Sequence, residues 1–335
     1  MPESRNGPPP TGRRGERTVR SFLLRSPLAI FILGSLSLPA TALFLRGADF
    51  VHMAYWTSGQ ERLWFMLTAL HLALLATSLL VVDKDFKGLR SAWPGTRRER
   101  AVVVLCTALA GTLNALPFVG QYLFQQTWPV SEGVLRLVPD FPRKMLVLGS
   151  LFSAVTALHA SGMFGVHVQL LGLLREPPAH GQAPATDSLE EDVLRYQRLQ
   201  AQLKRFLSFS AAIIATSLLS IGAFRGMVNA TAPSRPEAMP AALVMTFGLY
   251  FTGLLASIYL PARRTLTLVG QVLAERLGGP SLRACTSWRD FSQEQQALHA
   301  WLGLQTTALQ DLQQAVTVLA PLLASLSTLV LGLGG

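Results

Sequence analysis

The chain has 335 residues, of which 50% are hydrophobic and only 14% charged, with a net charge of +10. Soluble domains carry about 25% charged residues, so this composition, with a mean hydropathy of +0.36, argues against a water-soluble enzyme and for an integral membrane protein. Nor is the positive charge a nucleic-acid signature, because the basic residues stand in short blocks between apolar runs, without zinc ligands or a basic groove interleaved with aromatics.

Residues 1–26, rich in Pro, Gly and Arg, read as a disordered basic tail. The first apolar run covers 27–45. Its flanking arginines and Pro39-Ala40-Thr41-Ala42 also fit a cleavable leader, but apolarity continues through Leu45, which favours an uncleaved anchor. A short loop with Phe50, Tyr55 and Trp56 carries an interfacial aromatic belt. The second span is expected over 63–82, a basic connection over 83–100 and the third span over 101–119. Within the loop 120–144, residues 131–138 read as a short helix lying in the interface.

The fourth span lies inside 145–174 and completes a first membrane unit, 27–174. Its small residues Gly149, Ser153, Ala157, Ser161 and Gly165 recur at every fourth position. Such a stripe lets helix backbones approach closely, a main source of adhesion in lipid, either within one chain or between copies. A Pro-rich linker over 176–186 precedes a capping box, Ser188 and Glu191. The helix that follows carries Leu189, Tyr196, Leu199, Leu203 and Phe206 at coiled-coil steps and runs on into the fifth span, 206–224. The sixth span, 241–260, continues through Arg263 and Arg264 to Gly278-Gly279-Pro280, a strong stop. The two extensions are expected to pair as an antiparallel stalk. An amphipathic helix over 292–314 leads into 315–333, which is either a seventh span or an apolar cap on the stalk. Thr317, Ser325, Ser327 and Thr328 favour the cap.

The expected fold is therefore all-α: six transmembrane helices in three hairpins, with 175–205 and 263–335 forming a helical module outside the bilayer. Lys and Arg decide its side. Six precede the first span, six lie in the second connection, five between the fourth and fifth spans and five after the sixth, against seven on the other side. By the positive-inside rule the N-terminus and the module face the cytoplasm, at a plasma (bacterial inner) membrane.

No phosphate-cradling Gly-rich loop, dinucleotide fingerprint, His-Glu-x-x-His or Gly-x-Ser-x-Gly is present, so no enzyme activity is expected. Cys106 and Cys285 fall in different environments and suggest neither a disulfide nor a thiolate metal site. All nineteen Asp and Glu lie outside the apolar runs, which speaks against an ion-coupled transporter. The ionisable groups inside the spans are His71, His159 and His167. They read as interhelical hydrogen-bonding groups, as a proton relay, or as haem ligands should His71 and His159 meet across two helices. Asn114, Gln121 and Gln169 read as interhelical hydrogen-bonding residues or as a polar path. Thr68-Ala69-Leu70-His71 recurs as Thr156-Ala157-Leu158-His159, and Asn229-Ala230-Thr231 matches a glycosylation acceptor.

These features favour an oligomeric channel-like or signalling membrane protein without cofactor. Its partners would be the bilayer and a second copy or another membrane or cytoplasmic protein. The alternatives are a haem-binding redox subunit and, more weakly, an uncoupled transporter.

Overall fold

The computed structural model describes residues 27–47, 59–91, 96–123, 135, 138–175, 186–231, 239–284, 287–304 and 308–332. Among them there is no strand, and eight helices form the architecture: α1 (Pro27–Arg46), α2 (Gly59–Ser91), α3 (Arg97–Leu123), α4 (Phe141–Arg175), α5 (Thr186–Thr231), α6 (Ala241–Ala284), α7 (Trp288–Trp301) and α8 (Ala308–Gly332). The first six are long and apolar enough to cross a membrane. The molecule is an all-α, multi-pass membrane protein. The N-terminal tail, the Phe50–Trp56 aromatic cluster, the linker 176–185 and most of the expected interfacial helix over 131–138 lie outside the described residues.

Each expected hairpin forms, α1 with α2, α3 with α4 and α5 with α6, and α5 packs on α2, α4, α6 and α8. Helix α5 holds the most buried of the six apolar windows, whereas α1 and α3 hold the least buried. Phe31, Val104 and Leu105 accordingly turn outward. Lipid is as apolar as these side chains, so an outward apolar face is free of the penalty it would meet in water.

Two clusters of buried side chains mark the two ends of the bundle. At one of them, the far end, Trp64, Phe141 and Phe224 come together, with Phe141 stacked on Phe224 at 4.9 Å. Glu61, buried at the start of α2, is ion-paired with Arg46, and Lys144 Nζ donates to the Leu45 carbonyl at 2.9 Å. The much larger cluster starts at Leu218 and Phe251 and follows α5 and α6 to Val193 and Leu273 at the opposite, basic end. The expected seam is buried here, with Tyr196, Leu199, Leu203 and Phe206 all at most 2% exposed.

Three expectations are sharpened or corrected. In the basic connection over 83–100 the described residues are helical up to Ser91 and again from Arg97. Helix α2 continues to Ser91 because Phe86 packs on Phe206 (5.2 Å) and Leu89 is buried, and α3 starts directly after a capping box in which Thr96 and Glu99 bond each other. The single helix expected over 292–314 is two helices. Gly303 adopts φ +67°, Leu304 N–H donates to His299 O (2.8 Å) and Gly303 N–H to Ala300 O (3.0 Å), which together end α7 in a Schellman turn.

The third correction concerns the apolar run after it, which is not a cap on the extensions. A Cβ on Gly222 would collide with Thr328, and one on Gly248 with Ser325, so α8 lies in the slot between the apolar parts of α5 and α6. Its Gln313 and Thr317 lie beside Lys204 and Arg263 at the basic end. Helix α8 therefore runs parallel to α5 from the basic end to the far end.

Candidate functional site

The histidines of the spans occupy different levels and do not meet. His71, on α2, is 6% exposed, sits 5.8 Å from the Phe152 ring and places Nδ1 3.2 Å from Thr216 Oγ1. The Thr216 hydroxyl also lies within reach of the Ala212 and Ile213 carbonyls of its own helix. His159, on α4, is fully buried, with Nδ1 donating to its own helix at Val155 O (2.7 Å) and its ring between Phe206 and Phe209, each 6.2 Å away. Phe152, which marks the level of His71, precedes His159 by seven positions, a step of about 10 Å along the axis. The repeated Thr-Ala-Leu-His segments thus both turn their histidine toward α5, at separate depths.

Two of the other expected polar residues have backbone partners, one within its helix and one across helices. Asn114 Nδ2 donates to Ala110 O (2.8 Å), and Gln169 Nε2 donates to Leu89 O (3.1 Å), satisfying a carbonyl of α2's last turns. The side chain of Gln121 lies outside the described residues. Among the described residues, Asn114 Oδ1, His159 Nε2 and His167 Nδ1 are buried without a hydrogen-bond partner, and no group of three or more His, Cys, Asp or Glu is placed to hold a metal ion. Asn229 is also occupied: its amide bonds both the N–H (2.9 Å) and the carbonyl (3.3 Å) of Met239, closing the far-end turn.

The small-residue stripe is used within the chain. A Cβ on Gly149 would meet Phe118 of α3 at 2.6 Å, one on Gly111 of α3 would touch Ala157 at 3.2 Å, and Gly165 faces Leu89 of α2. Ser153 is buried and Ser161 is half-buried in the same bundle. Gly149 and Ala157 thus meet α3, and Gly165 meets α2, within one chain.

Two polar arrangements at the basic end went unnoticed in the sequence. In the first, Asp85, 7% exposed on the continuation of α2, accepts from Arg205 Nε (2.8 Å) and Nη2 (2.7 Å), with Gln202 at 3.4 Å. This two-pronged ion pair ties α2 to α5. The second is a cavity of about 380 Å³ between α5, α6 and α8, whose wall includes Lys204, Gln200, Tyr259, Arg263, Gln313 and Thr317. Arg263 lies close enough to Tyr196 and Tyr259 for its charge to act on both phenols. The roof of the cavity is the Gly303 turn, pressed onto α5 where a Gly303 Cβ would meet Gln200 at 2.9 Å. The signal for this site was present as Lys204 and Arg263, which count toward orientation but are also brought together by pairing the two extensions. No protein-family model matches the chain, and neither a curated protein nor a solved structure matches it.

Proposed function

We propose that this chain is a non-enzymatic signalling or effector membrane protein that relays a change in its bundle to the helical module at the basic end. The observation that carries this reading is continuity. Helices α5 and α6, 46 and 44 residues long, extend about 69 and 66 Å, more than twice the roughly 30 Å hydrocarbon thickness. A single cluster of buried side chains accompanies them from bundle to module. Packed helices shift as rigid bodies, so displacement at one end reaches the other. The reading also draws on how the buried polar groups are spent: Ser153, Thr156, His159 and Asn114 each bond a carbonyl of their own helix. The lysine and arginine count supports a cytoplasmic basic end. With α8 as a seventh crossing, its end at Gly332 reaches the outer face. The module's partner is a second copy or a cytoplasmic protein.

The test loosens the far end and reads the basic end. Asn229→Ala removes both Asn229–Met239 bonds and leaves Arg225 Nε on the Met239 carbonyl, and amide exchange is followed over 263–274 in reconstituted protein. The relay expects exchange there to accelerate about tenfold or more, in vesicles that pass no ions. Unchanged exchange ends the relay, and steady ion conductance reassigns the protein as a channel.

A further inference from the structure

We infer that the cavity at the basic end is a binding site for a phosphate-bearing anion, and that its occupant is the headgroup of an anionic phospholipid from the adjoining leaflet. The inference stands apart from the relay, since it concerns what the bundle holds and not what it transmits.

Two cations from different helices converge there, Lys204 from α5 and Arg263 from α6, and no acidic side chain is among the residues lining the cavity. Amide and hydroxyl groups of Gln197, Gln200, Gln313 and Thr317 complete the wall. Cations with no acidic side chain beside them among the described lining residues, flanked by neutral donors, suit a compact, multiply accepting anion, and the guanidinium and ammonium donate charge-assisted bonds to phosphate oxygens. The volume of about 380 Å³ falls in the range of small-molecule sites.

Position selects the lipid over a free anion. Lys204 and Arg263 stand where the apolar runs of α5 and α6 give way to their extensions, the depth at which headgroups lie. From Thr317 the surface of α8 continues toward the far end as an outward apolar stripe, Val316, Leu319, Leu323 and Leu326, each 41–47% exposed. A phosphate held in the cavity would leave its acyl chains along that stripe. Basic pockets between membrane helices on the cytoplasmic side recognise anionic headgroups on this principle.

Thermal unfolding of the purified full chain in neutral detergent tests the site with dioctanoyl phosphatidylglycerol, dioctanoyl phosphatidylcholine, glycerophosphoglycerol and inorganic phosphate. Phosphatidylglycerol is expected to raise the melting temperature in a saturable way. Lys204→Gln with Arg263→Gln should weaken its apparent affinity about tenfold or more, while Lys87→Gln, on the exposed face of α2, leaves it unchanged. If the double variant does not fold, Ala201→Phe, which adds bulk at the cavity wall and keeps both charges, must produce the same loss. Equal stabilisation by glycerophosphoglycerol or inorganic phosphate overturns the lipid and assigns the site to a soluble phosphate. Equal binding of phosphatidylcholine, or affinity unaffected by both the double variant and Ala201→Phe, overturns the site.

Discussion

Replacing Gly222 by alanine reports directly on where α8 lies. In a helix that touches nothing at that point, alanine is favoured over glycine by about 1 kcal/mol, because it loses less backbone freedom. Against α8 the added Cβ collides with Cβ and Cγ2 of Thr328. Thr328 Cβ, one bond from the α8 backbone, itself stands well inside contact distance, so no rotamer change of Thr328 relieves the overlap and the helix itself must move. Overpacking of this kind costs about 1–3 kcal/mol. Gly222→Ala is therefore expected to destabilise the full chain, and to stabilise by up to about 1 kcal/mol a chain ending at residue 307. The difference between the two backgrounds, about 1–3 kcal/mol, is the collision itself. Thr328→Gly should restore most of the loss in the full chain. Reversible unfolding in mixed micelles, followed by far-UV circular dichroism, gives all four values. The same effect of Gly222→Ala with and without residues 308–335 would refute the placement of α8 between α5 and α6.

Asp85→Asn should lower stability by about 1–3 kcal/mol in the same assay, less than for a fully buried pair because the Arg205 side chain is 45% exposed and can be rehydrated. At Gly303, which sits at φ +67°, alanine is expected to cost about 1–2 kcal/mol from left-handed strain, visible as faster amide exchange at Leu302 and Leu304. His159→Leu removes a fully buried ring whose Nε2 has no partner among the described residues. Its melting point should stay within the shift of about 1 kcal/mol allowed to a well-fitted apolar exchange, and a loss several times larger would show that the ring does more than pack. A reporter fused after Gly335 should be active on the outer face, and activity inside would end the seventh-crossing reading.

The apolar runs made the six spans legible, and the positions of Tyr196, Leu199, Leu203 and Phe206 made the seam legible, because burial in a helix leaves a periodic mark. The continuation of α2 escaped because Asp83, Lys84, Asp85 and Lys87 look like a loop until Phe86, Leu89 and the Arg205 partner are seen on the other side. Leu302-Gly303-Leu304 was hidden for a different reason: a single glycine is tolerated inside a helix, and only the bonds back to His299 and Ala300 show that it ends one. The depth of α8 could not be read from its hydroxyls, since Ser325, Ser327 and Thr328 each bond carbonyls of their own helix and so cost little in lipid. As for the candidate site, Lys204 and Arg263 are 59 positions apart, and only the antiparallel return of α6 along α5 makes them neighbours.

The slot marked by Gly222 and Gly248 has a bearing on how the molecule is made. A growing polypeptide emerges N-terminal part first, so α5 and α6 are threaded into the bilayer while the helix that fills the crevice between them has yet to be synthesised. During that interval the crevice is open to whatever surrounds it, and an acyl tail is the nearest filler. On the seventh-crossing reading, the late arrival of α8 amounts to an exchange of lipid for protein, so the lipid present at that moment competes with α8 for the crevice.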